Sequence, residues 1–187
     1  TDHPSLRTAA TELFGVRYPI VQTGMGWVSG ARLTAATAAA GGLGILASAT
    51  MRLSELSAAI DKVRERTDNP FGVNLLPSQP DAAERIALII ERGVPVASFA
   101  AAPRPDPGAT LREAGTATIV TGGAPRHAEK MAGIGVDAVI AQGAEGGGHT
   151  GTIPTALLVP GVVAATAGSG LVVLAAGGMR DGSSLAA

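Results

Sequence analysis

At 187 residues, with 14 basic and 15 acidic side chains and a formal charge of −1, the chain can bury one sizeable core and offers neither a basic face for nucleic acid nor a polybasic membrane anchor. The absence of cysteine excludes disulfides, a thiol nucleophile and thiolate-bound zinc or iron–sulfur clusters, and fits a reducing, cytoplasmic setting. The apolar segments are short and broken by glycine, so none reads as a membrane span, and residues 1–5 read as a polar lead-in rather than a signal peptide. A small molecule is the expected partner, and no metal site is expected.

Short apolar runs rich in β-branched residues recur at 19–22, 43–47, 71–75, 94–99, 116–120, 137–141 and 171–175, each followed by a helix-like stretch. Their starts lie 21 to 34 residues apart, the spacing of successive βα units. After the second run, Leu53, Leu56, Ile60 and Val63 fall at helical intervals, with Glu55, Asp61, Lys62, Arg64 and Glu65 on the other face. The segment 80–92 repeats the pattern with Ile86, Ile89 and Ile90 inward, Pro80 at its start and Gly93 at its C′ position. Shorter helices are predicted over 107–114 and 124–133, ended by Gly115 and by Gly133 or Gly135. The runs are apolar throughout rather than alternating, as expected of parallel strands covered on both faces.

Seven such units in series, with no change of pattern midway, predict an α/β fold of the (β/α)8 TIM-barrel type rather than an open doubly wound sheet. Residues 1–187 read as a single domain, and 182–187 as the start of the seventh helix. With no eighth unit in the sequence, the expectation is a C-terminally incomplete barrel, whose last strand edge would favour self-association into a homo-oligomer.

The residues just after each run are those that face an active site in such a barrel. They are Gln22, Thr23, Gly24, Met25, Gly26 and Trp27 after the first run, Asn74 in the third, Ser98 in the fourth, Thr121, Gly122 and Gly123 after the fifth, Gln142 and Gly143 after the sixth, and Gly177 and Gly178 after the seventh. Amide and hydroxyl side chains beside backbone N–H groups suit a large polar ligand. Gly177 and Gly178, followed by a helix start near Asp181 to Ser183, occupy the place where barrels bind phosphate. The longest connection carries Gly143-Ala144-Glu145-Gly146-Gly147-Gly148-His149-Thr150-Gly151. Its glycines let backbone N–H groups approach a ligand, and His149 has the pKa suited to proton transfer near neutrality. Glu145 beside the glycines is open to a role as an acid or as a supporting partner of the site, with a solvated loop carboxylate the first reading, and His127 reads as a surface residue of a helix. Gly24-Met25-Gly26 resembles the opening of a dinucleotide fingerprint, but the third glycine is displaced to Gly30 and the second run ends without an acidic residue. Metalloprotease, nucleotide triphosphatase and serine hydrolase motifs are absent.

Taken together, 19–27, Ala40-Gly41-Gly42-Leu43-Gly44, Pro70-Phe71-Gly72-Val73-Asn74, 145–151 and Ala175-Ala176-Gly177-Gly178 resemble the nitronate monooxygenase (2-nitropropane dioxygenase) family over nearly the whole chain. The resemblance implies an FMN-binding TIM barrel that oxidises alkyl nitronates with oxygen, with His149 as catalytic acid or base. It also implies that Gln22, Thr23, Gly24, Met25, Asn74, Gln142, Gly147, Gly148, Gly177 and Gly178 surround the flavin. Two departures stand out. The family's last strand, with its Gly-Thr-Arg-like end, is not in this sequence, and Thr121-Gly122-Gly123 stands where some members carry a lysine facing the flavin.

The same motifs are similar to those of flavin-dependent enoyl reductases and of reductases acting on CoA thioesters in bacterial steroid degradation, the group that 22–27 with 45–50 resembles most. That resemblance implies NAD(P)H as electron donor and an acyl thioester as substrate. A third reading is a non-catalytic barrel fragment that binds no flavin.

Overall fold

The computed structural model describes residues 3–101, 105–148 and 150–186, with only the backbone described at 105–107. The chain divides into two compact units, Thr1–Thr118 and Ile119–Ala187.

The first unit opens with α1 (Ala9–Phe14), a helix capped by reciprocal bonds between Thr8 and Thr11 and ended by Gly15 in left-handed backbone. Strand and helix then alternate through β1 (Val21–Gln22), α2 (Ala31–Ala39), β2 (Leu43–Ala47), α3 (Leu53–Arg64), β3 (Phe71–Leu75), α4 (Ala82–Glu91), β4 (Val96–Phe99) and α5 (Pro105–Glu113). The strands pair in parallel in chain order, with Gln22 opposite Gly44, Ala47 opposite Asn74 and Asn74 opposite Ser98. Every residue of β2 and β4 is buried. This is the double-sided cover that their unbroken apolar sequence requires.

The second unit holds β5 (Ala117–Gly122, from Ile119 onward), α6 (Pro125–Gly133), β6 (Ala138–Gln142), α7 (Thr155–Ala165), β7 (Val172–Ala176) and α8 (Gly182–Ala186). Its strands are also parallel, with Gly122 opposite Ala141 and Gln142 opposite Ala176. The core packs Ala128 of α6 and Leu158 and Val162 of α7 onto Val139 and Ala141 of β6. Both units repeat the βα order of the (β/α)8 barrel, with seven strands among the described residues.

Element bounds follow the sequence closely where composition is unambiguous. β2 and β3 match the apolar runs residue for residue, and Leu56, Ile60 and Val63 are buried on α3, with Leu53 half-buried. Gly93, Gly115 and Gly135 end their helices in left-handed backbone, which glycine adopts without a Cβ penalty. Three expectations change. β1 shortens to two residues, because Pro19 has no N–H to give a ladder. Ile89 is the buried isoleucine of α4, Ile86 and Ile90 are half-buried, and Arg85 takes the inward position beside them. β7 is half-buried or exposed rather than covered. His127 lies exposed on α6, as expected.

Gly44 shows how tightly helix and sheet are joined. A Cβ built there would lie 2.2 Å from the backbone oxygen of Thr34 on α2, and a backbone atom cannot swing aside as a side chain does. Gly44→Ala is therefore expected to destabilise the protein by about 3 kcal/mol. The change should show as a lower urea midpoint at constant m-value; an unchanged midpoint would refute the close approach of α2 to β2.

Candidate active site

In the first unit the carboxyl ends of the strands are organised by side chains that serve backbone groups. Gln22 Nε2 donates to Ser29 Oγ at 2.9 Å and to the Ile45 carbonyl at 3.2 Å, and also to the Thr23 carbonyl. Gln22 Oε1 is buried without a partner among the described residues. Ser29, itself buried, accepts from the Met25 N–H and donates to the Thr23 carbonyl, both at 2.9 Å. These bonds hold the 23–29 loop in a shape that its sequence would not choose. Trp27 sits at φ 59, the one non-glycine residue with positive φ among the described residues. It is also 91% exposed. A bulky side chain in left-handed backbone is uncommon, and such strain concentrates at functional sites.

The same loop leans on Asn74. A Cβ at Gly24 would lie 2.5 Å from the Asn74 Cβ, so glycine is required for the approach. The Asn74 amide donates to the Ser98 carbonyl at 3.3 Å, and its own carbonyl accepts the Ser48 hydroxyl. Gln22, Thr23, Gly24, Met25 and Asn74 thus form one cluster within this unit.

The second unit assembles Gln142, Gly147, Gly148, Gly177 and Gly178. Gln142 Nε2 donates to the Gly147 carbonyl at 2.9 Å, and Gly143 N–H donates to the Ala176 carbonyl at 2.9 Å. Thr155, at the first turn of α7, lies between two strand ends. Cβ atoms built at Gly143 and Gly177 would lie 2.2 and 2.6 Å from its Oγ1. Gly177 and Gly178 both have positive φ, and a Cβ at Gly147 or Gly148 would meet nothing among the described residues. The loop's far end is also seated, since a Cβ at Gly151 would lie 2.9 Å from the Gly123 oxygen.

Glu145 is exposed, but it is not the free loop carboxylate expected from the sequence. Its Oε2 accepts from the Thr155 N–H at 2.9 Å and from the Thr155 hydroxyl at 2.8 Å. These bonds, the backbone one foremost, hold its carboxyl below the ordinary glutamate value. The start of α8 is likewise satisfied from within. The Asp181 carboxylate accepts from the Ser183 hydroxyl at 2.8 Å and the Ser184 N–H at 3.1 Å, and its pKa falls to about 2, chiefly through Ser183. The Ser184 N–H of that helix start is thus already taken by Asp181. His149 lies outside the described residues.

Ser29, Ser48, Arg85, Glu145 and Thr155 were not singled out as site-forming from sequence. Each is a common polar residue near a strand end or helix start, and only its distant partner marks it. Among the described residues no group of histidine, aspartate and glutamate could hold a metal, and no helix is long and apolar enough to cross a membrane.

Residues 7–187 match the model of the nitronate monooxygenase family. The chain belongs to this family. It is 59% identical over 182 residues to the (3aS,4S,5R,7aS)-5-hydroxy-7a-methyl-1-oxo-octahydro-1H-indene-4-carboxyl-CoA dehydrogenase of Mycobacterium tuberculosis, covering 97% of this chain and 51% of the relative. A probable nitronate monooxygenase of Staphylococcus saprophyticus is 32% identical over 229 residues, covering 97% of this chain and 64% of the relative. Among solved structures, FabK from Thermotoga maritima superposes with a TM-score of 0.91 at 39% identity, covering 96% of this chain and 57% of that one. A nitroalkane oxidase from Streptomyces ansochromogenes gives 0.85 at 34% identity, with 96% and 64% covered. The chain spans about half the length of the dehydrogenase it matches.

The Glu145 anchor makes a testable statement about pH. A carboxyl whose folded pKa is depressed contributes its anchoring above the unfolded value and loses it as pH falls through the folded one. Exchange protection of the Thr155 N–H, corrected for intrinsic rate, should be high at neutral pH and decline only as the pH falls below the ordinary glutamate range. Glu145→Ala should lack that protection throughout, and protection that ignores both acid and the substitution would refute the anchor.

Proposed function

We propose that the protein is an FMN-dependent oxidoreductase that dehydrogenates an alicyclic acyl-CoA thioester, with His149 as its acid–base group. The observation that carries this reading is the 59% identity to the M. tuberculosis CoA-ester dehydrogenase, against 32% to the staphylococcal nitronate monooxygenase.

The residues in each unit fit a flavin. Gln22 Oε1 is a buried acceptor without a partner among the described residues, suited to a ligand N–H. A Cβ at Gly147 or Gly148 would meet none of the described residues, and Gly177 and Gly178 have the positive φ found in anion-binding backbone turns. FMN, when bound, supplies the two-electron acceptor. Within the first unit Asn74 and the 23–25 segment are the candidates to contact it, and within the second unit Gln142 and the N–H groups of Gly177 and Gly178 are. His149 takes the proton that leaves the substrate, a task for which imidazole is matched near neutral pH. The Glu145–Thr155 bonds and the seat of Gly151 on Gly123 brace the loop on either side of it.

Oxidation of an alkyl nitronate with oxygen is the second reading, favoured by the family model and by the nitroalkane oxidase neighbour. Reduction of an unsaturated acyl thioester, with NAD(P)H supplying the two electrons through the flavin, would run the flavin–substrate exchange in the opposite direction. The FMN-loaded protein is expected to reduce an artificial electron acceptor when given an alicyclic hydroxyacyl-CoA, and to take up little oxygen with propionate 3-nitronate. Oxygen uptake with the nitronate and no thioester reaction would overturn the first reading in favour of the second; a protein that takes up no FMN would overturn both.

His149→Ala should keep bound FMN and lower turnover about 100-fold or more. Unchanged turnover would remove His149 from the mechanism.

A further inference from the structure

Arg85 is the one charged side chain in the core among the described residues, at 2% exposure. It lies on α4 between half-buried apolar neighbours, where a leucine or methionine would pack with no charge to desolvate. Each of its nitrogens is used. Nε and Nη2 donate to the Asp81 carboxylate at 2.9 and 2.8 Å, Nη1 to the Ser48 carbonyl at 2.8 Å, and Nη2 also to the Met51 carbonyl at 2.6 Å. Gln79 Nε2 takes the Ala49 carbonyl at 3.2 Å. Three carbonyls of the 48–51 turn are thus held by side chains from α4 and the loop before it.

That turn stands behind the candidate site. The Ser48 hydroxyl donates to the Asn74 carbonyl, and the Thr50 methyl lies 3.4 Å from where a Cβ on Gly26 would be. A continuous chain of bonds runs Asp81–Arg85–Ser48–Asn74, from helix to turn to strand end.

We propose that Arg85 is a positioning residue of the cofactor pocket, holding the 48–51 turn so that Ser48 fixes Asn74 and Thr50 backs the 24–28 loop. The proposal rests on the reading of Asn74 as a flavin contact. A lysine is not equivalent, because a single ammonium cannot serve a carboxylate and two carbonyls with the planar fork of a guanidinium.

The test compares full-length wild type, Arg85→Lys, Ser48→Ala and the double variant, reading FMN affinity by quenching of flavin fluorescence together with the visible spectrum of the bound flavin. Each single variant is expected to weaken FMN about tenfold and to alter the visible band shape. The double variant should be no weaker than the worse single one, because both changes cut the same chain of bonds. A merely structural role would lower Tm and leave the affinity and spectrum of Arg85→Lys at wild-type values; that result overturns the proposal, as does strict additivity. If Arg85→Lys does not fold, Ser48→Ala decides, since it removes one hydroxyl, and wild-type affinity and spectrum there also overturn it. A wild type that takes up no FMN sinks the cofactor reading and this proposal together, an outcome distinct from flavin bound equally by all four proteins.

Discussion

Parallel strands that stop at a common edge leave backbone carbonyls without ladder partners, and buried carbonyls need donors. In this protein polar side chains supply them. In the first unit Gln22 serves the Ile45 carbonyl, Ser48 the backbone carbonyl of Asn74, and the Asn74 side chain that of Ser98. Each donor belongs to a neighbouring strand end or turn, so satisfying the backbone also stitches the strand ends of this unit together. Arg85 extends the pattern one layer outward, with its buried charge answered by Asp81 and two turn carbonyls.

Glycine is the counterpart of this stitching. Gly24, Gly143 and Gly177 stand where a Cβ would collide with Asn74 or Thr155, whereas Gly147 and Gly148 stand where it would meet nothing among the described residues. The first group closes the framework and the second leaves room. A string of glycines in the sequence does not distinguish the two, although the distinction separates a packing requirement from an open approach to backbone. The described part of the 143–151 loop contains both kinds and is tied by Gln142, Glu145 and Gly123.

Strain is concentrated in the first unit. Trp27 sits in left-handed backbone within the loop that the Ser29 network ties down, and it is exposed, as are Met25 and Val28. Folding alone gives no reason to keep a bulky apolar residue in that state.

The chain's own sequence determined the βα repeat, most strand and helix bounds and the family, because apolar runs, helical periodicity and terminating glycines act over a few residues and leave local marks. It also marked Gln22, Asn74, Gln142 and the glycines as the groups at strand ends. Tertiary structure alone decided what holds them. Ser48 and Asn74 are 26 residues apart and Arg85 and Ser48 are 37 apart, so nothing in the neighbourhood of either residue announces its partner. Arg85 at a helical core position reads as an exception to amphipathic pattern until the turn carbonyls it serves are seen. Glu145 reads as solvated until Thr155 is placed beside it. Hydrogen-bond partners across a sheet edge are fixed by strand register and helix placement, which are properties of the folded chain and not of any segment of it.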